Sequence, residues 1–254
     1  MEPNLIFCFS GTGNSLKAAK DVAAVLGDAE IVWMKGDSQV TGRYGRIGFV
    51  FPSYAGGVPK AVLDWIRALA IGPAASEYFF AVVTCGGAER GTLPMLRDAL
   101  KEKEISLDYG RAVHTVGNYI AMYPLQPGVP EKLASADACM AVCAREIFEK
   151  SAVSIGKTKL GATLFYQAGN QYFKLNAKRL RVSEACTACG LCEKLCPTNS
   201  IRLQEGKPII THKTCAQCMA CVQWCPKQAI DAGKETIGRE RYHHPDIHAQ
   251  DMRK

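Results

Sequence analysis

The sequence predicts an α/β protein: a doubly wound, five-stranded parallel sheet followed by a second, small α+β domain. Three observations predict it. Short apolar runs alternate with helical patterns from residue 4 to about residue 120. Loops rich in glycine and hydroxyl groups follow several of those runs. One cysteine pattern is written twice near the C-terminus, as Cys186-x2-Cys189-x2-Cys192-x3-Cys196-Pro197 and Cys215-x2-Cys218-x2-Cys221-x3-Cys225-Pro226.

The elements follow in order. Leu5–Phe9 is a continuous apolar run, the pattern of a strand buried on both faces. Leu16, Ala19, Ala23 and Leu26 then recur at helical spacing, and Gly27 closes that helix. Glu30–Met34 reads as the second strand and Arg46–Phe51 as the third. Pro59 opens a helix with Val62, Leu63, Ile66 and Leu69 on one face. Phe79–Thr84 is the fourth strand, Gly91–Lys103 a helix, Ala112–Val116 the fifth strand and Glu131–Lys150 the closing helix. Such alternation means a parallel sheet covered on both faces, with its ligand outside the carboxyl ends of the strands. The expected organisation is a large domain over 1–150, a helical connector over 151–181, a cysteine-rich domain over 182–232 and a polar tail over 233–254.

Three loops at those carboxyl ends carry the candidate ligand contacts. The first is Ser10-Gly11-Thr12-Gly13-Asn14-Ser15. Its glycines let the backbone turn and expose amides, its hydroxyls and the Asn14 amide add donors, and the helix N-terminus behind favours an anion. It has neither the lysine of a triphosphate loop nor the third glycine of a dinucleotide fingerprint, so a terminal phosphomonoester fits it best. A capped turn, the plainer reading, needs only one Ser or Thr. The second loop is Pro52-Ser53-Tyr54-Ala55-Gly56-Gly57 and the third Thr84-Cys85-Gly86-Gly87-Ala88. Both are glycine-rich where a flat ring can lie against backbone. Tyr54 either stacks on that ring or fills the rim. Cys85 is either a reactive thiol or a small apolar filler.

The repeated cysteines have the spacing of two [4Fe–4S] clusters, in which the fourth cysteine of each run serves the other cluster. Three cysteines two residues apart wrap three irons, and the fourth iron is left for a cysteine beyond that loop. Crossed assignment gives Cys186, Cys189, Cys192 and Cys225 to one cluster and Cys215, Cys218, Cys221 and Cys196 to the other. Structural zinc sites usually space their ligands as two separated pairs instead. A disulfide framework would need a secreted chain, and nothing marks this one as secreted.

The first loop is similar to the phosphate loop of flavodoxins, Ser/Thr-x-Thr-Gly-x-Ser/Thr, and the other two fall where flavodoxins bracket the isoalloxazine of FMN. With the C-terminal cysteines, the chain resembles the flavodoxin–ferredoxin fusion proteins of anaerobes over residues 4–125 and 182–232. The resemblance implies a flavodoxin-like sheet with a ferredoxin-like 2[4Fe–4S] domain, and FMN with two clusters as cofactors. It implies FMN contacts from Ser10 to Ser15, Pro52 to Gly56 and Thr84 to Gly87. Flavodoxins often flank the ring with two aromatics, and the third loop here offers none.

Charge and composition fit such a protein. Apolar content of 48% and charged content of 22% are ordinary for a globular chain. The formal charge of +7 falls to roughly +1 once two clusters and a flavin phosphate are counted, so a nucleic-acid partner is not expected. Leu5–Phe9 is too short for a signal peptide or a membrane span, and a cytoplasmic protein with reduced thiols is expected. Lys157, Lys159, Lys174, Lys178, Arg179 and Arg181 lie between Ser151 and Ser183 with no acid among them, a solvated face or a dock for an acidic redox partner. Aromatics at Phe165, Tyr166, Tyr172 and Phe173 suit a helical connector packing the domains together, or a wall over the flavin. Cys139 and Cys143 share a helix face as core residues. The expected role is electron transfer between FMN and the clusters, converting two-electron and one-electron steps. The alternatives are a flavin-dependent reductase of a small organic substrate, with Tyr54, Cys85 and Tyr119 as proton-donor candidates, and a reductive activator of a partner metalloenzyme. The sequence does not fix the oligomeric state, and a homodimer fits it.

Overall fold

The computed structural model describes residues 2–252. The large domain runs β1 (Asn4–Cys8), α1 (Asn14–Leu26), β2 (Ala29–Trp33), β3 (Arg46–Pro52), α2 (Lys60–Ala68), β4 (Phe79–Cys85), α3 (Thr92–Lys101), β5 (Tyr109–His114) and α4 (Val129–Phe148). The strands are all parallel, in the order β2-β1-β3-β4-β5. That is the flavodoxin order, with its switch point between β1 and β3.

Alternation along the strands divides the core in two. Ile6 and Cys8 pack with Val22 of α1 and Met140 and Ile147 of α4. Leu5 and Phe7, on the other face, pack with Val62 and Ile66 of α2 and Leu96 of α3. Each such side chain contributes about 1.5–3 kcal/mol by leaving water. The fifth strand begins at Tyr109, earlier than the expected Ala112. Tyr109 pairs with Phe80 and is fully buried, and its hydroxyl donates to Glu146 of α4 over 2.7 Å. A polar tip thus disguised a core position.

The connector forms α5 (Leu160–Ala177) and leads into β6 (Leu180–Val182), α6 (Leu191–Lys194), β7 (Ile201–Gln204), β8 (Lys207–Ile210), α7 (Ala220–Gln223) and β9 (Ile230–Ala232). β6 pairs with β9 and β7 with β8, both antiparallel. The core of this small domain, Leu180, Met219, Val222, Ile230 and Ala232, includes Ile120 and Ala121 from the segment after β5. Leu195, Ala220 and Trp224 in turn join the core on the α1 side of the sheet.

The polar C-terminal segment also differs from expectation. It packs on the large domain, with Tyr242, Ile247 and Met252 buried, and Ile247 and Met252 in the α1-side core. Arg241, beside it, pairs with Asp231 over 2.7 Å. Three evenly spaced apolar residues are enough to seat the segment, and its polar composition conceals them.

Candidate functional site

The carboxyl ends of the strands open into one cavity of about 560 Å³, a volume typical of small-molecule sites. Ser10, Gly11, Thr12, Asn14 and Ser15 line it, as do Pro52, Ser53, Tyr54, Ala55, Gly56, Thr84, Cys85, Gly86 and Gly87. Gly13 is the exception among the sequence candidates. It caps α1 with φ +99°, and a Cβ there would lie 3.0 Å from the Cβ of His244 and 3.1 Å from that of Ile247. Its glycine is required by the left-handed backbone and by the C-terminal segment behind it.

The first loop is held by its own side chains. Gly13 N donates to Ser10 Oγ over 3.1 Å, Ser15 Oγ and Thr84 Oγ1 are 2.7 Å apart, and Asn118 Nδ2 donates to Thr12 Oγ1 over 2.6 Å. The C-terminal segment clasps it from outside. His244 N donates to Thr12 O over 2.8 Å, and the Tyr242 hydroxyl donates to Asn14 Oδ1 over 2.7 Å.

The cavity has two further walls, one missed from the sequence and one held there as an alternative. One follows β5: Val116, Gly117 and Asn118 line the cavity beside the anticipated Tyr119. The other is α5, through Phe165, Gly169, Tyr172 and Phe173. The connector helix is therefore a packing element and a cavity wall at once. Its Tyr166 hydroxyl donates to Val58 O over 2.7 Å, latching it to the second loop. Aromatics absent from the third loop are thus supplied from elsewhere. Phe173 meets Tyr54 and Tyr119 edge-on, with ring centroids 6.0 and 5.1 Å apart. Burial, and then the neighbouring Cys218, push the Tyr54 phenol well above its ordinary range. Burial raises Tyr119 as well. Burial, with Glu89 nearby, pushes the Cys85 thiol up to about 11. At neutral pH all three are protonated.

The eight motif cysteines surround two hollows. Cys186, Cys189, Cys192 and Cys225 line one, and Cys196, Cys215, Cys218 and Cys221 line the other. Backbone amides point at sulfur in both: Ser200 N lies 3.1 Å from Cys196 Sγ, Ala229 N 3.2 Å from Cys225 Sγ and Gln217 N 3.5 Å from Cys215 Sγ. Such donors favour thiolate. Burial above all pushes Cys192 up to about 11 and raises Cys215 and Cys221, so a metal centre entering here must displace protons. Among the described residues, no three His, Cys, Asp or Glu side chains close on a single metal ion. Thiolates spread around a hollow suit a larger group, so the donor set fits an iron–sulfur cube.

The two sites touch. Gln217, Cys218 and Met219 line both the large cavity and the second hollow. Trp224 Nε1 donates to Gly11 O over 3.0 Å, and a Cβ on Gly11 would lie 2.2 Å from Cys218 O. Gln217 Oε1 accepts from the Tyr119 hydroxyl over 2.8 Å.

Residues 185–230 match the model of the 4Fe-4S dicluster domain family. Ferredoxin-1 of Chlorobaculum tepidum is 38% identical over 60 residues, which are 21% of this chain and 97% of that protein. A component of an ion-translocating oxidoreductase complex from Methanosarcina acetivorans is 44% identical over 46 residues, 18% of this chain and only 17% of that protein. Among solved structures, an FMN-dependent NADH-azoreductase from Bacillus anthracis in complex with FMN superposes with a TM-score of 0.41 and 13% identity, covering 58% of this chain and 99% of that one. Among the described residues, no helix is long and apolar enough to cross a membrane. Through its 4Fe-4S dicluster domain the chain belongs to the ferredoxin family, with that domain joined to a flavodoxin-like α/β domain.

Proposed function

We propose that this is a cytoplasmic electron-transfer flavoprotein that passes electrons between FMN in the large cavity and two [4Fe–4S] clusters in the small domain. The observation that carries the reading is the shared wall: Gln217, Cys218 and Met219 bound both the cavity and the hollow of Cys196, Cys215, Cys218 and Cys221. The two spaces adjoin at these three residues. Bound FMN supplies a centre that takes one or two electrons, and each cluster supplies a one-electron carrier. The chain's own part is placement. Ser10 to Ser15 hold the phosphate, the second and third loops hold the ring, and the crossed cysteine sets hold the clusters. On this reading residues 1–150 are the flavin unit, 151–181 the connector and 182–232 the cluster unit. Joining them removes the diffusional encounter that separate proteins would need.

The test is rapid mixing of reductant with FMN-loaded protein under anaerobic conditions. Wild-type protein should bleach clusters and flavin in one fast phase. A Cys215→Ala, Cys221→Ala variant that still binds FMN should lose that phase. Equal flavin reduction rates in the two would show that the halves work independently, and the converter mechanism would be wrong.

A second reading, a reductase of a small organic substrate fed by the clusters, is favoured by the aromatic wall of α5, which no phosphate or cluster contact requires. For either reading, the partner class is a redox protein or a small organic donor or acceptor. Lys157, Lys159, Lys174 and Lys178 are exposed on and beside α5, and they suit an acidic protein, including a metalloenzyme under reductive activation.

A further inference from the structure

Among the described residues that line the large cavity, Arg90 is the one charged side chain. Its position is fixed from two sides. The aliphatic stem lies over Gly56, where an added Cβ would come within 2.7 Å of Arg90 Cδ and 2.9 Å of its Cβ. The guanidinium stands over the Phe165 ring of α5, 4.5 Å from its centroid. The backbone at Arg90 is left-handed, with φ 49°, a conformation that a residue with a side chain holds only under strain. Gly91 N donates to Gly56 O over 2.9 Å, tying this turn to the second loop. Among the described residues, no ion pair involves Arg90. The molecule therefore keeps a strained, pinned and unpaired cation at the edge of an apolar cavity.

The surroundings define what such a cation would bind. The phosphate end is served by the first loop, so Arg90 is not needed there. Phe165, Tyr172 and Phe173 present ring surface on the α5 side, which suits a flat apolar body. A guanidinium fork matches a carboxylate through two parallel N–H···O bonds. One cation, with no second basic group in the lining, suits a monoanion better than a phosphate.

From these observations we infer that the α5 side of the cavity is a second subsite, which takes a planar conjugated monocarboxylate with its carboxylate on Arg90 and its body against the α5 aromatics. The inference rests on FMN occupying the phosphate-loop end. The subsite places an organic anion where the reductase reading needs a substrate.

The test uses full-length protein loaded with FMN and clusters. Flavin content is measured first. The protein is then titrated with cinnamate and, separately, with cinnamamide, read by perturbation of the flavin absorbance and by calorimetry. Cinnamate should bind about tenfold or more tighter than the amide, the strength of a charge-assisted pair. Arg90→Gln should erase that difference while flavin remains bound, and Arg90→Lys should restore part of it. Phe165→Leu should weaken both ligands and narrow the gap between them, because it removes the ring surface and frees the guanidinium. Equal affinity for acid and amide, no binding of either, or no effect of Arg90→Gln would overturn the subsite. Loss of flavin in Arg90→Gln would overturn it too, by assigning Arg90 to the ring. Failure of the wild type to take up FMN would overturn the flavin reading itself, and it is seen before any carboxylate is added.

Discussion

A Cβ on Gly11 would lie 2.2 Å from the Cys218 carbonyl oxygen and 3.0 Å from Cys218 Cβ. The first oxygen is backbone, and the Gly11 carbonyl is itself tied to Trp224, so neither side can yield cheaply. Gly11→Ala should therefore push the second cluster loop away from the first loop. The expected outcome is lower flavin content together with lower iron and sulfide, measured on anaerobically purified protein. Loss of flavin with full iron would mean that the contact is incidental. From the sequence Gly11 reads as phosphate-loop glycine alone, because its contact partner is some two hundred residues distant. Cys85 has two readings, a reactive thiol and a small apolar filler, and its burial favours the second. Burial disfavours the charged form, so its pKa rises to about 11 and the thiol stays protonated below that pH. Alkylation of the Cys85 peptide by iodoacetamide should be slower at pH 8 than that of free cysteine and should climb as pH approaches 11. A rate already flat by pH 8 would mark a thiolate, and the filler reading would fail.

Helix α5 shows how an element can be legible while its role stays open between two readings. Its aromatics and helical pattern are plain in the sequence, but which face meets the cavity depends on a contact between distant residues. Gly169 makes that contact: a Cβ there would lie 2.2 Å from the Cβ of Ala55 in the second loop. Two effects oppose one another at this position. Helix propensity alone makes Gly169→Ala stabilising by about 1 kcal/mol. The clash forces α5 away from the second loop and disturbs the Tyr166 latch to Val58. A separation of 2.2 Å between carbons is far inside contact distance, so the clash wins. Gly169→Ala should lower the melting temperature and weaken flavin binding, read by thermal unfolding and by flavin titration. A higher melting temperature with unchanged flavin affinity would show that α5 is not seated on that loop. The strands, by contrast, were readable because each is nearly uniformly apolar. Only β5 was displaced, where Tyr109 and Arg111 broke the run with polar atoms that Glu146 satisfies.

At the scale of the molecule, the parallel sheet and the repeated cysteine pattern are legible locally, whereas the strand order and the joint between the domains are not. Trp224, Gln223 and the segment from Arg239 to Met252 make that joint, through residues set in polar surroundings whose partners lie far away in sequence. Trp224 stacks on His243 with centroids 4.1 Å apart, Gln223 Nε2 donates to Asn118 O over 2.8 Å, and its Oε1 accepts from Tyr242 N over 2.8 Å. From there the chain of contacts reaches the first loop: Trp224 donates to Gly11 O, Asn118 and His244 N donate to Thr12, and the Tyr242 hydroxyl donates to Asn14. Whatever orders the first loop must then order the second cluster loop, and the dependence must run both ways. A phosphate ligand ordering Ser10 to Ser15 should slow the loss of the cluster held by Cys196, Cys215, Cys218 and Cys221. The hollow of Cys186, Cys189, Cys192 and Cys225 shares no lining residue with the cavity, so a cluster there should gain less. The measurement is the rate of cluster bleaching by a chelator, with and without FMN, in two variants that each keep one cluster: Cys189→Ser for the second and Cys221→Ser for the first. FMN should protect the cluster of the Cys189→Ser variant severalfold and that of the Cys221→Ser variant little. Equal protection of both would mean that FMN stabilises the fold as a whole, and no protection would mean that the joint does not transmit order between the sites.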